Sequence, residues 1–283
     1  MRCRQPATAV RPLLLAMLNY FRHAMERATE TRLRLNGRGR QPRVAALLTG
    51  DLAELPALRA AVSAAALLEA EICISWVGPE NPGRHLTREL VGDARAEELD
   101  MSVLSGLLLA GRVRTTVVPA GLWRRTAQTL WPILSQSSVL VSRGGKILPS
   151  TVLVCADNEA TEAALMARVA SAAPGGTVRL SVVRAIPPPS SWALGLLATY
   201  GFAWVPSNQD PPANSEVDAR GVRMITVHEA AADAIRHAWQ ELLPELVVLG
   251  WHHHGLPLPA SWLHPTAWRL SNQLAADVLL VPA

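Results

Sequence analysis

The chain has 283 residues, 49% of them hydrophobic and 18% charged, which is a globular composition with room for two ordinary cores and excludes a disordered chain. Its three cysteines, Cys3, Cys73 and Cys155, have no metal-ligand spacing, which excludes a disulfide framework and fits a reducing cytosol. The net charge of +4 is uneven: residues 1–43 hold ten arginines against Glu26 and Glu30, and the remainder is net acidic. Arms of this kind bind anionic surfaces. "PLLLAMLNYF" (Pro12–Phe21) is the most apolar stretch near the start, too short for a spanning helix, and no small-residue cleavage site follows it. Residues 12–33 read as an amphipathic helix lying on a membrane or on the protein itself, with "NGRGRQP" as a flexible linker.

From Arg43 onward short β runs alternate with alanine- and leucine-rich helices. Strands are predicted at 43–49, 71–78, 112–118 and 138–142, with helices at 52–70, 86–110 and 122–136. The second half repeats the scheme. It has a buried strand at 150–156, a helix at 158–173 opened by Glu159 and Glu162, a strand at 177–186 and a Pro-started helix. A polar, Pro-rich loop follows at 205–221. After it come a strand at 222–227, a helix at 228–243, a strand at 245–250, a helix at 265–275 and a strand at 277–282. Strands separated by helices signal parallel sheets with right-handed crossovers. The expectation is an α/β chain of two tandem Rossmann-like, parallel-sheet units. The basic helix and linker take residues 1–42, a shortened first unit 43–146 and the second unit 147–283, joined near "RGGKILP".

These residues carry a resemblance. "VLVCADN", with Asp157 at the end of a strand, "ELVVLG" ending at Gly250, and the closing "ADVLLVP" make the second half similar to the universal stress protein fold. The whole chain also resembles the cytosolic C-terminal region of bacterial cation–chloride cotransporter and amino-acid permease relatives. "LNYFRHAMERATETRLRLNGRGRQPRVAALLTGD" and "SRGGKILPSTVLV" carry that likeness, with Ser150 and Thr151 where the family has Asn-Thr. The resemblance implies a cytoplasmic regulatory module or partner of such a transporter. It would lie at the inner membrane face through its basic helix and dimerise through the edge strand "DVLLVP".

The same resemblance implies a nucleotide cradle, with Asp157 toward ribose or base and Gly250, Gly255 and Thr266 toward the phosphates. Glycine is needed where backbone amides approach phosphate closely. Here Gly250 and Gly255 are five apart where the family has three, "LHPTAW" replaces its Gly-Ser/Thr, and no Lys or Arg stands in the loop. The cradle is therefore expected to be degenerate, with no cofactor and no catalytic residue; an ATP-binding stress protein is one alternative, and a nucleic-acid-binding protein acting through the basic N-terminal arm is another. His252, His253 and His254 lack the spacing that presents metal ligands convergently, and only His264 is near, so no metal is expected. "RGGK" at 143–146 opens no helix, which argues against a phosphate loop, and no GxSxG, GxGxxG, Walker or HExxH pattern occurs. The nine tryptophans interleave with basic residues only at Trp123-Arg124-Arg125, so core packing is expected of them and nucleic acid is not the expected partner.

Overall fold

The computed structural model describes residues 42–78, 84, 96–134, 136–145, 149–156, 159–172, 178–185, 214–217, 221–227, 230–251 and 265–282. The basic segment 1–41 and its expected amphipathic helix lie outside them.

The first half contributes β1 (Arg43–Leu48), β2 (Glu71–Trp76), β3 (Glu97–Glu98), β4 (Val113–Pro119) and β5 (Ser138–Ser142). Its helices are α1 (Leu55–Leu67), α2 (Met101–Leu109) and α3 (Ala120–Leu134). The second half contributes β6 (Thr151–Ala156), β7 (Arg179–Ala185), β8 (Asn214–Val217), β9 (Arg223–Val227), β10 (Leu246–Trp251) and β11 (Asp277–Pro282). With them come α4 (Glu159–Ala172), α5 (Ala231–Leu242) and α6 (Pro265–Gln273).

The eleven strands among the described residues form one sheet, in the order β3-β2-β1-β4-β5-β11-β10-β6-β7-β9-β8. Within each half the pairings are parallel, apart from the β8–β9 hairpin. The halves meet where β5 and β11 pair antiparallel, Val141 opposite Val278 and Val139 opposite Leu280. The fold class is α/β with a mostly parallel sheet, as the alternation of elements predicts. Two expectations are corrected. Within the stretch predicted as one helix over 86–110, the described residues hold the two-residue β3, paired with Cys73 and Ile74, ahead of the helix that begins at Met101. The two halves follow one plan, β3-β2-β1-β4-β5 and β9-β7-β6-β10-β11, to which the second half adds β8. That strand lies inside the stretch 205–221, whose prolines and polar residues predict a loop.

The strands are apolar on both faces because helices cover both. In β1, Ala45 and Leu47 face one core while Val44, Ala46 and Leu48 face another, the period of two that a pleated strand imposes. The first of these cores is continuous across both halves. It joins Leu47, Leu104, Leu107 and Trp123 of the first to Leu153, Leu249, Leu270 and Leu280 of the second. On the opposite face each half keeps its own cluster, under Ala57, Leu58 and Ala61 of α1 and under Leu165 and Val169 of α4.

Candidate functional site

In an open α/β sheet, ligands bind beyond the carboxyl ends of the strands where the order reverses. Here the reversals lie between β1 and β4 and between β6 and β10. After β1 the chain turns to α1 on one face, and after β4 it turns to α3 on the other. The second half does the same with α4 after β6 and α6 after β10.

At the first reversal, β1 runs into Thr49, Gly50 and Asp51. Asp51 accepts from Ala53 N at 2.9 Å and so starts the single 3-10 turn Leu52–Glu54. That turn delivers Glu54 backwards. Its carboxylate accepts from Thr49 N at 2.6 Å, Thr49 Oγ1 at 2.9 Å and Gly50 N at 3.3 Å. Glu54 is only 7% exposed, so these donors stand in for the water its charge has lost. Gly50 has φ +92°, a conformation that favours glycine. Leu48, Gly50, Asp51, Glu54, Leu55 and Leu58 line a depression that encloses no space for a water molecule. Arg84 reaches the same turn through the Thr49 carbonyl. Its guanidinium donates to Gly78 O at 2.6 Å and Thr49 O at 3.4 Å, and lies 5.3 Å from the Trp76 ring.

At the second reversal the expected residues are only partly visible. Asp157 and Gly255 lie outside the described residues, as do His252, His253, His254 and His264. Thr266 belongs to the first turn of α6, and its side chain is outside the description. Gly250 is described, and it stands inside β10: the strand continues through it, with Gly250 opposite Val281 and Trp251 opposite Pro282. Among the described residues no group of three or more His, Cys, Asp or Glu could hold a metal ion.

Where β5 gives way to the connector lies a second internal carboxylate site. Asp277, the first residue of β11, accepts from Arg143 N at 2.6 Å and from the Gly145 amide. The Arg143 side chain crosses back to the second half, donating to Ala276 O at 3.0 Å and to Ser271 O. Burial raises the Asp277 carboxyl above its ordinary range, and the two amides and the guanidinium pull it partly back. Burial likewise lowers the Arg143 guanidinium, against the opposing charge of Asp277. Arg143 and Gly145 of the connector thus hold a carboxylate that the chain itself supplies. β11 is consequently interior, with β10 on one side and β5 on the other, so the strand edge expected to carry a homodimer is used within the chain.

Sequence reading passed over Glu54, Arg84 and Asp277. Glu54 carried a signal, since Asp51-Leu52-Ala53-Glu54 has the spacing of a capping box. Arg84 and Asp277 find partners only through the fold.

No protein-family model matches the sequence, and no curated protein matches it. Solved structures do match. A candidate universal stress protein from Pseudomonas aeruginosa UCBPP-PA14 superposes with a TM-score of 0.56 at 15% identity, covering 86% of this chain and 93% of that one. A universal stress protein from Archaeoglobus fulgidus DSM 4304 gives 0.52 at 12% identity, covering 84% and 96%. Among the described residues no helix is long and apolar enough to cross a membrane. By its likeness to these solved structures, the chain has the fold of the universal stress proteins.

Proposed function

We propose that this chain is a non-catalytic binding and regulatory module of universal-stress-protein fold whose nucleotide cradle no longer grips a triphosphate. The observation that carries this reading is the course of β10. Gly250 is committed to the strand, opposite Val281, and the strand runs on to Trp251. A phosphate-wrapping glycine needs its amide turned out of the ladder toward the ligand. Titration calorimetry with ATP and magnesium tests it: no heat is expected at high micromolar nucleotide, and saturable binding at that level makes the protein an ATP-binding stress protein instead.

The regulatory part of the proposal rests on charge. Ten arginines in residues 1–43 suit the anionic inner face of a membrane, where the chain would serve as cytoplasmic partner of a cation–chloride or amino-acid transporter. Flotation with vesicles containing anionic phospholipid is expected to carry the full chain. Changing Arg22, Arg27, Arg32, Arg34, Arg38 and Arg40 to serine should abolish it. Retention on duplex DNA with a steep salt dependence, without retention on vesicles, would place the arm on nucleic acid.

A further inference from the structure

We propose that the outer face of α1 is an interaction surface whose partner is the chain's own N-terminal segment, its apolar stretch 12–21 packing along the helix. This goes beyond the membrane reading of the arm, which concerns the arginines, and it does not depend on whether the second half binds ATP.

A helix laid on a sheet ordinarily turns polar and charged residues to water. α5 does so, with His237, Gln240 and Glu241 exposed. α1 does not. Ala57, Leu58, Ala61 and Ala65 are buried against the sheet. The exposed positions on the other side are Pro56, Arg59, Val62 and Ala66, three or four residues apart, which makes one stripe with a single charge. Val62 is 36% exposed, and Leu52, on the turn leading into α1, is 49% exposed. These are two of the four exposed large hydrophobic side chains among the described residues. Proline and alanine keep the rest of the stripe low, which lets a second helix approach closely.

What covers the stripe follows from where the arm leaves the fold. Pro42 O accepts from Glu71 N at 3.0 Å, and Ala70 N donates back to Ala65 O at 2.9 Å, so the arm joins beside the last turn of α1. The nine residues 34–42 reach about 30 Å when extended, more than the length of α1, whose 13 residues span about 20 Å. A segment tethered this closely meets the face at an effective concentration on the order of millimolar, ahead of a second copy of the chain. The stretch 12–21, too short to span a membrane, has the apolar side chains to bury there.

The test is maleimide labelling of the full chain in a Cys3→Ser background, where Cys73 and Cys155 are buried. Val62→Cys puts a thiol on the stripe, Ala66→Cys puts a second there if the first disturbs the contact, and Gln240→Cys on α5 is the exposed reference. A face covered about nine-tenths of the time reacts about tenfold more slowly than an open one. The stripe thiols are therefore expected to label about tenfold faster once Leu13, Leu14, Leu15 and Leu18 are changed to serine, with Gln240→Cys unaffected. Changing Arg22, Arg27, Arg32, Arg34, Arg38 and Arg40 to serine spares the apolar stretch and should leave the protection in place. Equal rates with and without the four leucines overturn the proposal. Protection lost in the arginine variant also overturns it, placing the contact on charge, and so does protection lost on dilution, which assigns the face to a second copy.

Discussion

The indole Nε1 of Trp123 donates to Ser271 Oγ at 3.0 Å, and neither residue exposes any surface. The two are 148 positions apart, one in each half, inside the core that both halves share. Ser271→Ala withdraws that acceptor from a buried donor, so a loss of about 1–3 kcal/mol is expected from urea titration. Because the core is continuous, tryptophan fluorescence and far-UV circular dichroism should report one coincident transition. Two separated transitions would mean that the halves fold as independent units.

A second prediction concerns pH. Burial holds the Asp277 carboxyl above its ordinary value in the folded chain, so the folded state keeps this proton more readily than the unfolded state. The group's contribution to stability is then fully present below the unfolded pKa, about 3.9, and is lost as pH rises through the raised folded value. The stability of wild type relative to Asp277→Asn should therefore decline as pH increases across the window just above the ordinary aspartate range, then level off. Urea titrations of both proteins from pH 3.5 upward check the slope. A difference that grows with pH would mean that the Arg143 and Gly145 amides outweigh burial.

The connector should be intolerant at two adjacent glycines for different reasons. Gly144 has φ +88°, and a Cβ there would lie 3.2 Å from Pro56 Cβ, so Gly144→Ala combines backbone strain with crowding. A loss of about 1–3 kcal/mol is expected. At Gly145 a Cβ would stand 2.9 Å from Asp277 Oδ2 and push the carboxylate off its amides. Gly145→Ala and Asp277→Asn should accordingly be non-additive in a double-mutant cycle. Gly121→Ala, in α3 with open space around it, is the control and should be neutral or mildly stabilising.

How much of this was legible follows from the range of the interactions. The parallel strands were readable because both faces are buried, which leaves runs such as "RVAALL" and "TVLVCA" almost wholly apolar. β3 was not, since Glu97 and Glu98 carry no apolar signal and become a strand only by pairing with β2. β8 was hidden by its composition: Asn214–Val217 pairs with β9 within a proline-rich stretch. The antiparallel joint of β5 and β11 cannot be read locally, because "SVLVS" and "DVLLVP" specify strands without specifying neighbours. For the same reason "RGGK" read as a plain connector: its anion, Asp277, lies 134 residues from Arg143. Glu54 left a trace in the spacing Asp51-Leu52-Ala53-Glu54, but its three donors on Thr49 and Gly50 become visible only in the turn geometry.

The last prediction concerns the thiols. Cys73 is buried in β2, its Sγ donating to Val44 O at 3.6 Å. Burial is the main force on its pKa, partly opposed by Arg43 and reinforced by Glu97 and Glu71, and the thiol is pushed up to about 12. Cys155 in β6 is also buried, and burial alone raises it. The thiolate is the reactive form, so at pH 8 neither residue presents an appreciable nucleophile, and neither is accessible. In a Cys3→Ser protein, a disulfide exchange reagent should therefore release no chromophore from the native state. It should release two equivalents in denaturing urea, one from each remaining cysteine of the three in the chain. Prompt labelling of the folded protein would show that β2 or β6 opens far more readily than strands placed inside this sheet should.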